Sequence, residues 1–289
     1  MLDDGGGAAH DGRLASRDRS EEPRRGEAAA GRAAGASAAP GRSCPPHYGY
    51  SPRVFARAAD IHADTVYVAG GLYGNVLALD AIEHMAAQER AGAELVFNGD
   101  FHWFDAEPAL FAEVQQRVLA HHALRGNVET EIAGDDAATG CGCAYPESVP
   151  DEDVARSNAI LARLRALAAG LIDDPRPALA ALPMHAVAAV GGLRIGLVHG
   201  DAWSLAGWRF AHDALHAAQT DELQRLRLAH AFELGAVDGF ACSHTCAPAL
   251  ACIGTPGGDR FVINNGAAGM ANFADSAFGV ITRLATRAL

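Results

Sequence analysis

Short apolar runs in this chain repeatedly end in a glycine and a polar residue. Leu95-Val96-Phe97-Asn98 leads into Gly99-Asp100, Ala123-Leu124-Arg125 into Gly126-Asn127, Ile195-Gly196-Leu197-Val198 into His199-Gly200, and Phe240-Ala241-Cys242 into Ser243-His244. Runs this short, bounded by Gly and Asn, read as buried strands, and helical spacing fills several of the segments between them. Strand–loop–helix alternation predicts a layered α/β domain. In such folds functional side chains gather where loops leave the carboxyl ends of strands.

The remaining elements follow the same logic. Thr65-Val66-Tyr67-Val68-Ala69 reads as the first strand, and Leu77, Leu79, Ile82 and Met85 then give a helical face. A helix is predicted at about 108–119. Block 134–182 differs in texture: an acidic, Gly/Cys-rich loop precedes a helix over 151–169, with Asp151 as its N-cap. This block reads as a helical cap inserted over a cleft. Strands return at 185–190, 194–198, 239–242, 260–263 and 278–284, with Gly191-Gly192 as a hairpin turn. Residues 1–58 are rich in Gly, Ala, Arg, Pro and Ser, and read as a disordered low-complexity tail or a misassigned start. Arg13, Arg17, Arg19, Arg24 and Arg25 form a modest basic cluster within it. The expected organisation of the 289 residues is this tail followed by one domain over 59–289.

Bulk properties narrow the function classes. A net charge of −12 argues against general nucleic-acid binding, which needs a basic face. No run of eighteen apolar residues predicts a membrane span, and the N-terminus lacks the basic start and apolar stretch of a secretory signal. The six cysteines (Cys44, Cys141, Cys143, Cys242, Cys246 and Cys252) are expected to be reduced thiols in a cytoplasmic protein. The spacing in Cys141-Gly142-Cys143 is too tight for an ordinary zinc knuckle.

Asp100, Asn127, His199 and His244 offer a carboxylate, an amide oxygen and two imidazoles. That set suits a borderline divalent metal such as Mn, Fe, Zn or Ni. Any one of them alone is weak: a strand-end His is more often structural, and an isolated Gly-Asp is usually a turn. The ordered series Gly-Asp, Gly-Asn, His-Gly, His-Thr is far more specific.

This series resembles the calcineurin-like metallophosphoesterase family over about residues 64 to 285. The resemblance implies an αββα sandwich of two mixed sheets, and a dinuclear centre that activates a water for in-line attack on phosphorus. Gly126-Asn127-Val128-Glu129, with Val where many members have His, is similar to the bacterial and archaeal phosphodiesterase branch. The retromer phosphoesterase-like subunit is a relative of that branch. The opening family block, Asp-x-His-Gly-Asn, aligns with Gly71-Leu72-Tyr73-Gly74-Asn75. The closing Gly-His-Thr-His aligns with Ser243-His244-Thr245-Cys246.

The resemblance therefore implies one metal position retained on Asp100, Asn127, His199 and His244. The other has lost its Asp (now Gly71) and two His (now Tyr73 and Cys246). It is either absent, giving one ion rather than two, or rebuilt from His102, Cys246 or Asp105. Asp100, His102, Arg125 and Tyr73 are the catalytic candidates. His102 or Arg125 would supply charge lost with the second ion. Tyr73 would hydrogen-bond a phosphate or, more simply, fill the vacated volume. Trp203, Trp208 and Phe210 form either an apolar wall or core packing, and 264–269 is expected to fix the site floor.

The expected activity is a metal-dependent phosphodiesterase or small-molecule phosphatase acting on a phosphate-ester small molecule. Two alternatives stand beside it. One is an impaired binding or scaffold protein; the other is an enzyme of changed chemistry using Cys246 or His102.

Overall fold

In the strand Thr65–Ala69 every residue is buried, and its side chains alternate between two different cores. Tyr67 and Ala69 face a helical layer, whereas Val66 and Val68 face a second sheet. That period-two alternation makes a strand with both faces covered, and it sets the layering of the domain.

The computed structural model describes residues 39–286. Numbered in chain order, the strands are β1 (Ile61–Ala63), β2 (Thr65–Ala69), β3 (Glu94–Asn98), β4 (His122–Leu124), β5 (His185–Val190), β6 (Leu193–Val198), β7 (Gly239–Cys242), β8 (Ala249–Thr255), β9 (Gly258–Asn264) and β10 (Thr282–Ala285). The α-helices are α1 (Val76–Ala87), α2 (Pro108–Val118), α3 (Asn127–Ala133), α4 (Asp151–Gly170), α5 (Arg176–Ala181), α6 (His212–Ala217) and α7 (Glu222–Gly235).

A four-stranded sheet runs β10-β2-β3-β4, and a six-stranded sheet runs β1-β5-β6-β7-β9-β8. Both are mixed: β2, β3 and β4 are parallel with β10 antiparallel to β2, while β6, β7 and β9 are parallel, β5 is antiparallel to β6 but parallel to β1, and β8 is antiparallel to β9. Val66, Val68, Val96 and Leu124 meet Ala188, Ile195, Leu197 and Ala241 between the sheets. Helices α1 to α5 cover the outer face of the four-stranded sheet. Leu215 of α6 and Leu228 and Phe232 of α7 cover the six-stranded one. The result is the expected αββα sandwich, with β3, β4, β6 and β7 all delivering their carboxyl ends to one place.

Gly191 and Gly192 have φ of 59° and 85°, and Val190 pairs with Leu193 across them, so this hairpin needs glycine at both central positions. Among the described residues no helix is long and apolar enough to cross a membrane.

Some sequence expectations need correction. Residues 39–58 belong to the fold rather than to a tail. Pro46–Tyr48 and Pro52–Phe55 form short 3-10 turns, and Tyr48 and Phe55 are fully buried. Each of these two aromatic anchors contributes about 1.5–3 kcal/mol of burial toward ordering the segment, a contribution that composition averages conceal. Residues 1–38, with the basic cluster, lie outside the described residues. Asp151 is not the N-cap of α4. That place belongs to Pro150, and the Asp151 carboxylate binds the Arg42 guanidinium instead. The last strand is shorter and later than 278–284, because only Thr282–Ala285 pair with β2 while Phe278 is 73% exposed. In α1, Leu79 and Ile82 are buried but Leu77 is 76% exposed, so the inward stripe is narrower than its periodicity suggested.

Candidate metal centre

Three loops must approach closely for the strand-end residues to meet. Gly99, at φ 99°, follows β3, and a Cβ there would lie 2.6 Å from both the Gly126 nitrogen and His199 Nδ1. A Cβ on Gly126 would lie 2.2 Å from Asp100 Oδ1. Side chains at either position would hold the loops apart. Glu129, buried at the start of α3, ties two of these loops together. Its carboxylate accepts from the backbone N–H of Asp100 (2.8 Å), Phe101 (3.0 Å) and Gly126 (2.8 Å). Asp100 Oδ1 in turn accepts from the Val128 N–H at 3.1 Å, which leaves Oδ2 free to face inward.

Around His199 Nε2 the other donors close in. Asp100 Oδ2 lies at 3.3 Å, Asn127 Oδ1 at 3.1 Å and His244 Nδ1 at 3.1 Å. Ligands at roughly 2.0–2.2 Å from one cation, held at 90–110° to each other, sit about 2.8–3.6 Å apart, so the three spacings to His199 Nε2 fall in the range found within a coordination shell.

The outward atoms are engaged as well. His199 Nδ1 donates to the Asn98 carbonyl at 2.9 Å and His244 Nε2 to the Cys143 carbonyl at 3.2 Å. The Asn127 amide donates to the Cys141 carbonyl at 3.0 Å, which turns its oxygen toward the cluster. These tautomers follow from the partners, and they point two imidazole lone pairs at each other. Such an arrangement calls for a proton or a cation between them. The donor set therefore fits a borderline divalent ion.

Electrostatics agree. Burial pushes the Asp100 carboxyl up, but His199 and further hydrogen bonds outweigh it and hold the group below its ordinary value. Burial pulls His199 down, yet the adjacent Asp100 carboxylate, with Glu129 beyond, raises it overall. His244 is driven to about 3, by burial first and His199 second, and stays neutral. Among the described residues, Asp100, His199 and His244 form the group of metal-capable side chains whose ligand atoms all lie within 4.8 Å of one another.

Among solved structures, the chain is similar to a hypothetical protein from Pyrococcus horikoshii OT3, at 19% identity and a TM-score of 0.51, over 76% of this chain and 87% of that one. It is also similar to a metallophosphoesterase from Sphaerobacter thermophilus, at 17% identity and a TM-score of 0.48, over 77% of this chain and 84% of the other. Vps29 from Chaetomium thermophilum matches at 14% identity and a TM-score of 0.34, over 74% of this chain and 76% of that one. The match to the Pyrococcus horikoshii protein bears out the αββα sandwich of two mixed sheets. No family model and no curated protein matches the sequence. Identities this low speak for the fold, and activity has to be argued from the site.

Within this fold the positions that depart from the resembled motifs also come together. Tyr73 Oη and Cys246 Sγ lie 2.8 Å apart. A Cβ on Gly71 would come within 3.0–3.1 Å of the Tyr73 ring edge and hydroxyl, so the ring occupies the space an Asp side chain at 71 would enter. Seven non-glycine residues have positive φ among those described, and Tyr73, Asp100, His244 and Cys246 are four of them. All four line one cleft of about 290 Å³. Backbone strain of this kind tends to collect at functional sites.

Other candidates lie elsewhere. His102 is fully buried, but its ring stacks flat on Phe111 at 3.7 Å and its Nδ1 bonds Asp105 Oδ2 at 2.6 Å. Neither joins the donor cluster, because Asp105 is spent on His102 and on the Trp103 N–H at 2.9 Å. Arg125 turns its guanidinium to the Ala180 carbonyl at 3.1 Å and does not line the cleft, so it is not placed as a phosphate contact. Of the aromatic run, Trp208 lines the cleft and packs edge-on against His244 at 5.4 Å. Trp203 and Phe210 instead pack with the core outside the six-stranded sheet. Asn265 of the 264–269 block donates to the Gly70 carbonyl at 3.2 Å, joining the loop ends beneath the site.

Sequence reading passed over Glu129 as a site residue, although Gly126-x-x-Glu129 has capping-box spacing that could have marked it. Nothing in the sequence signals the roles of the Asn98, Cys141 and Cys143 carbonyls.

Proposed function

We propose that this chain is a metal-dependent phosphoester hydrolase that works with one divalent ion, held by Asp100, Asn127, His199 and His244. The observation that carries the reading is the convergence of three other donors within 3.1–3.3 Å of His199 Nε2. When bound, such an ion supplies polarisation of a phosphoryl oxygen and a lowered pKa for water.

The chain's own residues do the positioning. Asn98 and Cys143 fix the two imidazole tautomers, Cys141 fixes the Asn127 amide, and Glu129 fixes the loop carrying Asp100. Tyr73, whose hydroxyl burial keeps well above its ordinary pKa, remains a neutral hydrogen-bonding group at the cleft wall. A phosphate-ester small molecule is the proposed substrate. A cytoplasmic setting, which the free thiols suit, completes the proposal.

A second reading, a protein that binds its ligand or partner without turning it over, is favoured by one observation. The Tyr73 ring and Cys246 occupy the half of the site where a second charge clamp would stand. Elemental analysis of the purified chain, with a chromogenic diester and monoester panel in Mn, Fe, Ni and Zn, separates the two. One equivalent of metal with turnover abolished by Asp100→Asn supports the hydrolase. No turnover of any ester supports the binding protein, and no bound metal sinks the hydrolase.

A further inference from the structure

The cleft beside the donor cluster has a lining that discriminates among phosphate esters. Tyr73, Trp103, Phe104, Tyr145 and Trp208 contribute aromatic rings, with Met270 among them. Tyr73 and Phe104 pack edge to face at 6.3 Å, and Tyr145 and Trp208 form a second pair at 5.9 Å. Phe104 is 60% exposed, so a large apolar ring stands at the cleft without burial of its own. Tyr73 is buried and backs Phe104, whereas Phe104 and the half-buried Trp103, Tyr145 and Trp208 offer stacking surface to a planar ligand.

The charges are equally specific. Among the described residues no Lys or Arg lines the cleft, and Arg125, close to the site in sequence, is turned to the Ala180 carbonyl. Asp100 lies in the lining, and Glu129 sits directly behind it with its oxygens taken by backbone N–H groups. A divalent ion against Asp100 leaves a formal charge of about +1, which a single negative charge neutralises. A phosphomonoester carries roughly −1.5 to −2 at neutral pH, and no cationic side chain among the described lining residues compensates the excess. A phosphodiester carries one negative charge.

We propose that the site is selective for a phosphodiester bearing a planar aromatic substituent, with the phosphate at the metal and the ring against the Tyr73–Phe104 and Tyr145–Trp208 pairs. The phosphate half of this inference rests on the hydrolase reading above, and the ring half rests on the cleft lining alone.

Isothermal titration calorimetry on the metal-loaded full chain tests it with four probes: diphenyl phosphate, dibutyl phosphate, phenyl phosphate and butyl phosphate. Diphenyl phosphate is expected to bind about tenfold more tightly than either dibutyl or phenyl phosphate. Phe104→Ala is expected to shrink the preference for diphenyl over dibutyl phosphate while leaving metal content unchanged. Equal affinity for all four probes, tighter binding of phenyl than of diphenyl phosphate, or a ring preference untouched in the Phe104→Ala protein would overturn the proposal and leave the hydrolase reading standing. Failure of every probe to bind the metal-loaded protein would overturn the proposal together with the phosphate-ester reading beneath it.

Discussion

The two halves of the centre sit on neighbouring loops but satisfy their polar atoms in opposite ways. In the retained half each ligand turns its second polar atom outward to a backbone group: Asp100 to Val128, Asn127 to Cys141, His199 to Asn98, His244 to Cys143. The inward atoms are left aimed at one point. In the altered half Tyr73 and Cys246 satisfy each other at 2.8 Å, and the Tyr73 ring packs over Gly71. The backbone barely registers the difference: φ is 55° at Tyr73 and 57° at Cys246, beside 53° at Asp100 and 29° at His244. Left-handed conformations at non-glycine residues cost on the order of 1–3 kcal/mol each, so the surrounding fold enforces them in both halves. The lesson is that the loop frame and the ligand chemistry are separable.

The largest expected effect sets one half directly against the other. His199→Ala removes the atom on which the donors converge, and metal content after dialysis should fall from one equivalent to almost none. Cys246→Ala should leave it unchanged. The loss on His199→Ala should exceed the roughly 10–100-fold affinity cost typical of outer-shell partners. Equal losses in the two variants would break the distinction between the halves.

If the frame is intact in the altered half, restoring the side chains should restore the site. The combined variant Gly71→Asp, Tyr73→His, Cys246→His is expected to bind a second equivalent by elemental analysis. Gly71 has φ 64°, which Asp tolerates better than most residues at a cost of about 1–2 kcal/mol. A stoichiometry that stays at one would show that more than side chains has changed.

Glu129→Ala should destabilise the chain by about 2–4 kcal/mol, because it strands buried backbone N–H groups of Gly126, Asp100 and Phe101. At this size that is a drop in Tm of very roughly 4–16 °C by calorimetry. Glu129→Gln, which keeps one acceptor oxygen, should cost less.

The smallest effect concerns pH. In the metal-free protein the raised His199 pKa contributes stability that is fully present below its ordinary 6.5 and lost as pH rises through the raised value. The lowered Asp100 pKa contributes stability present above its ordinary 3.8 and lost as pH falls through the lowered value. Metal-free Tm should therefore decline as pH climbs past 6.5 and through the raised value, whereas metal-loaded Tm should rise over the same range because ligation requires neutral imidazole. Parallel slopes would contradict the proposed ligand set.

Much of this was legible in the chain. The strands that deliver Asp100, Asn127, His199 and His244 could be read because each is a short apolar run closed by glycine or a polar residue, a pattern that burial on both faces imposes. The Gly191-Gly192 turn was legible for the same local reason. The place of His102 was not. Its spacing from Asp100 suggested a ligand, but the side chain finds a better environment stacked on Phe111 and bonded to Asp105. Arg125 misled in the same way, since adjacency to Gly126 says nothing about which side of the loop a long side chain takes. Residues 39–58 were misread because two buried aromatics do not shift the composition of a Gly/Ala/Pro-rich stretch.

By itself the sequence determined the layered α/β architecture and the order of the metal-capable residues. Those are matters of local pattern, written in periodicity and in residue type. Only the tertiary structure decided that Tyr73 and Cys246 would close on each other, that carbonyls of the Cys141-Gly142-Cys143 loop would orient two ligands, and that the cleft would be lined with aromatic rings and, among the described residues, by no cationic side chain. Those outcomes depend on which distant loops share a few ångströms of space, and that is fixed by packing.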